Sequence, residues 1–162
     1  MSIRRALAAL GAAAALVLVG AAGPAMAGNP HFIKNATSAH LDGVNLVVDF
    51  KEAGLPSGAV ETVVASADLS ATYSCVNGGN NVPSDPKKTT IDSRVSESGE
   101  FTATKNGNIV GSLTLEPTPA DVALDCPPGQ TATLFSVVWS NVTVEDLDSG
   151  AFIALKGTFS AP

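Results

Sequence analysis

Two carboxylates spaced two apart ahead of a glycine, in Asp146-Leu147-Asp148-Ser149-Gly150, come closest to a recognisable chemistry in this chain. A calcium loop opens in this way, because alternate side chains of a tight loop can turn oxygens toward one hard cation. Such a loop closes with a bidentate Glu at its twelfth position, which here is Gly157. The reading therefore assigns no metal and takes Glu145, Asp146 and Asp148 as a charged hairpin turn. Asp146 and Asp148 stay the calcium candidate, with Asp121 and Asp125 as carboxylates that another loop could add.

The two histidines, His31 and His40, lie near the start of the chain. Neither reaches the N-terminal position that a terminal copper site needs, and Pro30 ahead of His31 has no amide to deprotonate. They are expected at the surface or at strand edges. A Gly-x-Ser-x-Gly elbow, a phosphate-binding Gly-rich loop and a His-Glu-x-x-His helix are all absent from the sequence. A carboxylate pair for glycoside hydrolysis is defined by separation in space and leaves no sequence signature. One Trp and one Tyr, however, offer few platforms for sugar stacking. The expectation is a non-catalytic protein without a cofactor, and a small secreted hydrolase ranks third among the readings.

Elements that could position any site begin after residue 27. Arg4 and Arg5 precede a charge-free stretch at 6–22 rich in Ala, Leu, Val and Gly. Gly23-Pro24 breaks it, and Ala25-Met26-Ala27 has the small-x-small pattern of a signal-peptidase site. Residues 1–27 thus read as a cleaved export signal, leaving one domain at 28–162, secreted and not membrane-bound. Loss of Arg4 and Arg5 leaves seven basic against fifteen acidic residues, a net charge of −8 in place of −6. An acidic chain with scattered lysines has no electrostatic footprint for nucleic acid or anionic lipid. In an oxidising compartment, Cys75 and Cys126 are expected to form a disulfide.

Beyond residue 27 the pattern is that of β-structure. At 61–76, Val63, Ala65, Ala67, Leu69, Ala71, Tyr73 and Cys75 alternate with Thr62, Ser66, Asp68, Ser70, Thr72 and Ser74. A period of two over this length predicts a long strand with one wet face. Residues 46–50 predict a short strand paired with 33–41 across Asp42-Gly43. Residues 89–97 lead through Ser98-Gly99 into a hairpin of 101–105 and 109–115 around Asn106-Gly107. Residues 131–144 form a second long strand whose apolar parity switches at 139–142, the mark of a bulge or of burial on both sides. Trp139, among Phe135, Val137 and Val138, belongs to the core, with an exposed binding anchor as the alternative. Residues 152–159 return after Asp148-Ser149-Gly150. The fold expected is an all-β, antiparallel β-sandwich of immunoglobulin-like architecture with about eight strands.

Two resemblances bear on this reading. The run from Asp68 to Cys75 resembles the F strand of immunoglobulin variable domains, where a Tyr also stands two residues before a Cys. The order differs: Cys75 is the first cysteine, and Trp139 follows both. Three segments, at 30–37, 106–115 and 126–130, resemble small exported proteins of actinobacteria that lack an assigned function. That likeness implies secretion and a compact β-fold, and no site residue.

If Cys75 and Cys126 pair, the loops at 76–88 and 116–130 leave from one end of the sandwich. Their polar residues Asn77, Asn80, Asn81, Asp85, Asp121 and Asp125 are the expected ligand contacts. The partner would be a protein, a cell-envelope component or a small apolar molecule. The alternative is a structural protein of the cell surface or spore coat. Asn35 and Asn141 fit the glycosylation sequon, which a bacterial type of export signal leaves unused.

Overall fold

Along β3 (Asn45–Ala53) and β4 (Val60–Asn77), buried and half-exposed residues alternate almost without interruption. That alternation is the physical origin of the sandwich, because each strand has one apolar face to cover. The computed structural model describes residues 28–79, 81–84 and 86–162; residues 1–27, where an export signal is expected, Asn80 and Asp85 lie outside them. The remaining strands are β1 (His31–Phe32), β2 (Ser38–Asp42), β5 (Lys88–Thr102), β6 (Asn108–Leu115), β7 (Gln130–Asp146), β8 (Phe152–Ala154) and β9 (Phe159–Ala161). One α-helical turn, α1 (Ala120–Ala123), precedes β7. No helix among the described residues is long and apolar enough to cross a membrane.

In the smaller sheet, β3 is central, with β1 and β2 end to end on one edge and β6 on the other. The larger sheet runs β5-β4-β7, with β8 and β9 end to end on the outer edge of β7. Every pairing is antiparallel, as expected of a sandwich built from sequential reversals. The core lies between the sheets. Leu46, Val48 and Phe50 of β3 and Ile109 and Leu115 of β6 meet Val63, Ala65, Leu69 and Tyr73 of β4 and Val137, Trp139 and Val142 of β7 in one buried cluster.

The parity switch at 139–142 is a bulge. Ser66 pairs with Thr143 and Asp68 with Ser140, so β7 holds one residue more than β4 across this step. Asn141 absorbs it at φ 50°, a left-handed conformation that Asn tolerates better than most side chains. Its amide donates to Asp68 Oδ2 (2.8 Å), and Arg94 donates to Asp68 Oδ1 (2.7 Å) and Thr143 Oγ1 (2.8 Å). The Asn141 and Arg94 hydrogen bonds hold the Asp68 carboxyl below its ordinary pKa. The bulge also explains why the expected 152–159 strand is two strands. β9 pairs with Val137–Trp139 and β8 with Thr143–Glu145, and the gap between them falls on the bulged residues. The described residues form nine strands, in keeping with the expected count of about eight.

The hairpin expected around Asn106-Gly107 does not form. β5 pairs with β4 and β6 with β3, so this turn carries the chain from one sheet to the other. Its position is fixed by the Leu55 N–H bond to the Gly107 carbonyl (3.1 Å), and a Cβ on Gly107 would collide with the Leu55 backbone. Nor does Ser98-Gly99 break the strand: Ser98 and Gly99 pair with Val64 and Val63 inside an unbroken β4–β5 ladder. Aromatic packing joins the end of β5 to β3 across β6 instead. Phe101 meets Phe50 edge to face at 5.0 Å, and Gly111 leaves room for both rings, since a Cβ there would lie 2.5 Å from Phe101 and 2.6 Å from Phe50.

Candidate functional site

Glu52, Glu61 and Asp146 stand on three strands, and each occupies the parity its neighbours use for the core. Glu52 is in phase with Val48 and Phe50, Glu61 with Val63 and Ala65, and Asp146 with Val142 and Val144. Their exposures are 0%, 6% and 0%. β3 belongs to one sheet and β4 and β7 to the other, so the carboxylates gather across the sandwich at the end where β4 begins.

The turn after β7 arranges them. Asp146 Oδ1 accepts the N–H groups of Asp148 (2.9 Å) and Ser149 (3.3 Å), while Gly150 N–H donates to the Asp146 carbonyl (2.9 Å). This fixes Asp146 with Oδ2 buried and without a hydrogen-bond partner. Thr62 N–H donates to Asp148 Oδ2 (2.7 Å) and Leu147 N–H to the Thr62 carbonyl (3.0 Å), which ties the turn to the start of β4. The Ser149 hydroxyl donates to Glu52 Oε1 (3.0 Å), and Glu52 Oε2 is buried without a partner. Carboxylate oxygens of Glu61, Asp146 and Asp148 lie within 4.8 Å of one another, with Asp148 open to solvent.

Neither the Arg94–Asp68 ion pair (2.7 Å) nor the His40–Asp49 contact (3.3 Å) touches this cluster. Burial pushes the Glu52 carboxyl up to about 7; the Ser149 hydrogen bond opposes the rise and the Asp146 carboxylate adds to it. Burial also raises Glu61, with help from the charges of Asp146 and Asp148. The consequence for stability follows from linkage. Glu52 holds its proton more tightly in the folded chain, so its contribution is complete below pH about 4.5 and is lost as pH rises through about 7. The full effect is at most about 3 kcal/mol.

Glu52→Gln removes the charge and keeps an oxygen for Ser149. In a divalent-free buffer the variant is expected to match the parent near pH 5 and to be more stable by about 1–3 kcal/mol near pH 8. Urea unfolding at the two pH values measures this. A variant less stable than the parent at pH 8 would refute the assignment of a repelled, desolvated carboxylate.

Sequence reasoning found Asp146 and Asp148 and missed Glu52 and Glu61. The signal was present: charged residues in phase with an apolar strand face are rarely left there without a partner. Asp121 and Asp125 do not join this cluster. They lie at the other end of the sandwich, near Cys75, which stands fourteen residues beyond Glu61 on β4 and thus roughly 45 Å away.

At that far end the Cys75–Cys126 disulfide is formed, with Cα atoms 5.7 Å apart. The loops at 76–88 and 116–130 do leave together: Lys87 Nζ donates to the Asp125 carbonyl (2.6 Å), and Cys75 N–H donates to the Lys87 carbonyl (3.0 Å). Tyr73, fully buried, donates its hydroxyl to the Thr118 carbonyl (2.6 Å). Asp121, Asp125 and Gln130 border a shallow concavity of about 270 Å³. Asn77 closes its own turn, accepting the N–H groups of Gly79 (3.2 Å) and Asn81 (3.1 Å). Asn80 and Asp85 are outside the described residues.

A third feature was not foreseen. Between β2 and the β8–β9 edge lies a cleft of about 390 Å³, walled by Ala39, Ile153, Leu155 and Phe159, with Lys34 and Lys156 among its lining residues. Two concavities of comparable volume, on the outer face of the larger sheet and between β5 and β6, are lined mainly by Ser, Thr, Asp and Glu.

No family model matches the chain, and no curated protein does. Among solved structures, the solution structure of CsgH from R. palustris aligns with 81% of this chain and 89% of that chain, at 12% identity and a TM-score of 0.28. A likeness at that score carries no argument about function.

Proposed function

We propose that the protein is exported and acts by binding, and that its ligand is a small amphipathic molecule bearing an acidic group. The observation that carries this reading is the cleft between β2 and the β8–β9 edge. Apolar walls with a few polar groups are what small-molecule sites are made of, and an ammonium fixes the orientation of a carboxylate, sulfonate or phosphate. Export is supported by the 1–27 sequence and by the disulfide.

Anilinonaphthalene sulfonate is a suitable probe, being an apolar ring system with one anionic group. The folded protein is expected to bind it saturably with enhanced fluorescence. Leu155→Asp should abolish the signal, and Lys34→Gln with Lys156→Gln should weaken binding about tenfold, the scale of one charge-assisted hydrogen bond. Binding unchanged in both variants would remove the cleft from consideration.

A structural role at the cell surface or in a spore coat has one observation in its favour. Among the described residues β5 pairs along one edge only, with β4, and unpaired edges are templates for association. Asp92, Arg94, Glu97 and Glu100 spread charge along that strand, a device that discourages pairing. Size exclusion of the same sample distinguishes the readings, and an elution as oligomers would favour the structural one.

A further inference from the structure

We infer that Glu61, Asp146 and Asp148, backed by Glu52, form a calcium site that joins the two sheets at the end opposite the disulfide. The donors are all carboxylate oxygens, the ligand type of a hard cation. Two oxygens on one ion can stand at most two bond lengths apart, about 4.6–5.2 Å for calcium and about 4.0–4.2 Å for magnesium. The oxygens of Glu61, Asp146 and Asp148 lie within 4.8 Å of one another, a spacing that one calcium ion can span. Glu61 and Asp146 form the buried floor, and exposed Asp148 leaves a path for entry.

A cluster of acids alone would not make a site. The independent observation is the pair of buried oxygens with no partner, Asp146 Oδ2 and Glu52 Oε2, on side chains that are both fully buried. Both belong to carboxylates whose other oxygen is already held, Asp146 Oδ1 by two N–H groups and Glu52 Oε1 by Ser149. The fold thus fixes one oxygen of each carboxylate and leaves the second buried without a partner. A buried carboxylate without a donor or a counter-charge is costly, and a divalent ion removes that cost for several at once. The site differs from an EF-hand in its source of ligands: the end of β7 and the turn after it supply Asp146 and Asp148, and strands distant in sequence supply the others.

The test uses the folded protein stripped with EDTA and titrated with calcium chloride, read by calorimetry and by the melting temperature. Extracellular calcium modules bind at about 10⁻⁴–10⁻³ M. A calorimetric isotherm that half-saturates within that range is expected, with a melting temperature that goes on rising with calcium concentration and a smaller response to magnesium. Glu61→Gln combined with Asp148→Asn should weaken calcium binding at least tenfold; an amide at position 148 still offers an oxygen to the Thr62 N–H. If the double variant does not fold, Glu61→Gln alone serves, since none of the hydrogen bonds that hold the turn runs through Glu61. Asp121→Asn with Asp125→Asn, at the far end, should bind calcium like the parent. No heat and no shift at about 10 mM calcium would overturn the site. An equal response to magnesium, or an undiminished response in the Glu61 variants, would overturn it as well.

Discussion

Trp139→Ala is expected to lower the free energy of unfolding by about 3–5 kcal/mol, the range for removing a large aromatic from a packed core. Trp139 is the largest fully buried side chain of the molecule, at 0% exposure. It rises from β7, where it pairs with Leu69 on β4 and Phe159 on β9, so it stands in the middle of the larger sheet. Its indole N–H reaches the Val44 carbonyl (3.0 Å) in the β2–β3 turn of the smaller sheet. One side chain thus fills the inter-sheet space and bonds the sheets together. Trp139→Phe separates the two roles. It keeps much of the ring volume and leaves the Val44 carbonyl without its donor, for an expected loss of about 1–3 kcal/mol. Urea unfolding followed by far-UV circular dichroism measures both variants, and in the parent Trp139 should emit at short wavelength. An alanine variant within about 1 kcal/mol of the parent would contradict the inter-sheet role.

Core placement of Trp139 was legible in the sequence, because the residues around it alternate and the alternation slips where an extra residue must be housed. The same local physics announced β4, β7 and the bulge. What the sequence did not announce was partnership across the chain. Asn106-Gly107 signals a tight reversal, and it is one, with Gly107 N–H donating to the Thr104 carbonyl (2.9 Å). A reversal does not say which sheet receives the strand that follows. Here β5 is committed to β4 by a fifteen-residue ladder, so β6 has to find β3. The split of 152–159 into two strands has the same cause: the edge follows its neighbour's bulge, which its own residues do not encode.

The carboxylate cluster shows the limit most clearly. Asp146 and Asp148 are close in sequence and form a recognisable spacing, whereas Glu52 and Glu61 enter only through topology. Each was visible as a charge on an apolar face, which a search for ligand spacings passes over. Pairing of the two cysteines brings the loops at 76–88 and 116–130 together, and Asn77 stands at the start of the first. Its carboxamide is consumed in holding the turn. The two ends of the sandwich therefore differ in chemistry, with a covalent bond at one and a set of buried carboxylates at the other.

Loss of the covalent closure, in a Cys75→Ala, Cys126→Ala double variant, is expected to lower stability by about 2–4 kcal/mol. The bond joins residues 51 apart, and restricting a denatured chain by a loop of that length corresponds to about 4 kcal/mol in the chain-entropy model. The folded state has reasons to change little. Cys75 pairs with Ala132 in the β4–β7 ladder, and the segment that carries Cys126 is also held by Tyr73 on the Thr118 carbonyl and Lys87 on the Asp125 carbonyl. These contacts preserve the position of the loop while the unfolded chain gains freedom, so the loss should appear as a lower midpoint with a native far-UV spectrum. Urea unfolding of the variant beside the oxidised parent is the measurement. A variant that keeps the parent midpoint would mean that the bond adds nothing beyond those two hydrogen bonds. A variant without the native spectrum would mean that the bond is required to build this end of the sandwich, because Tyr73 and Lys87 alone do not hold the 116–130 segment against β4.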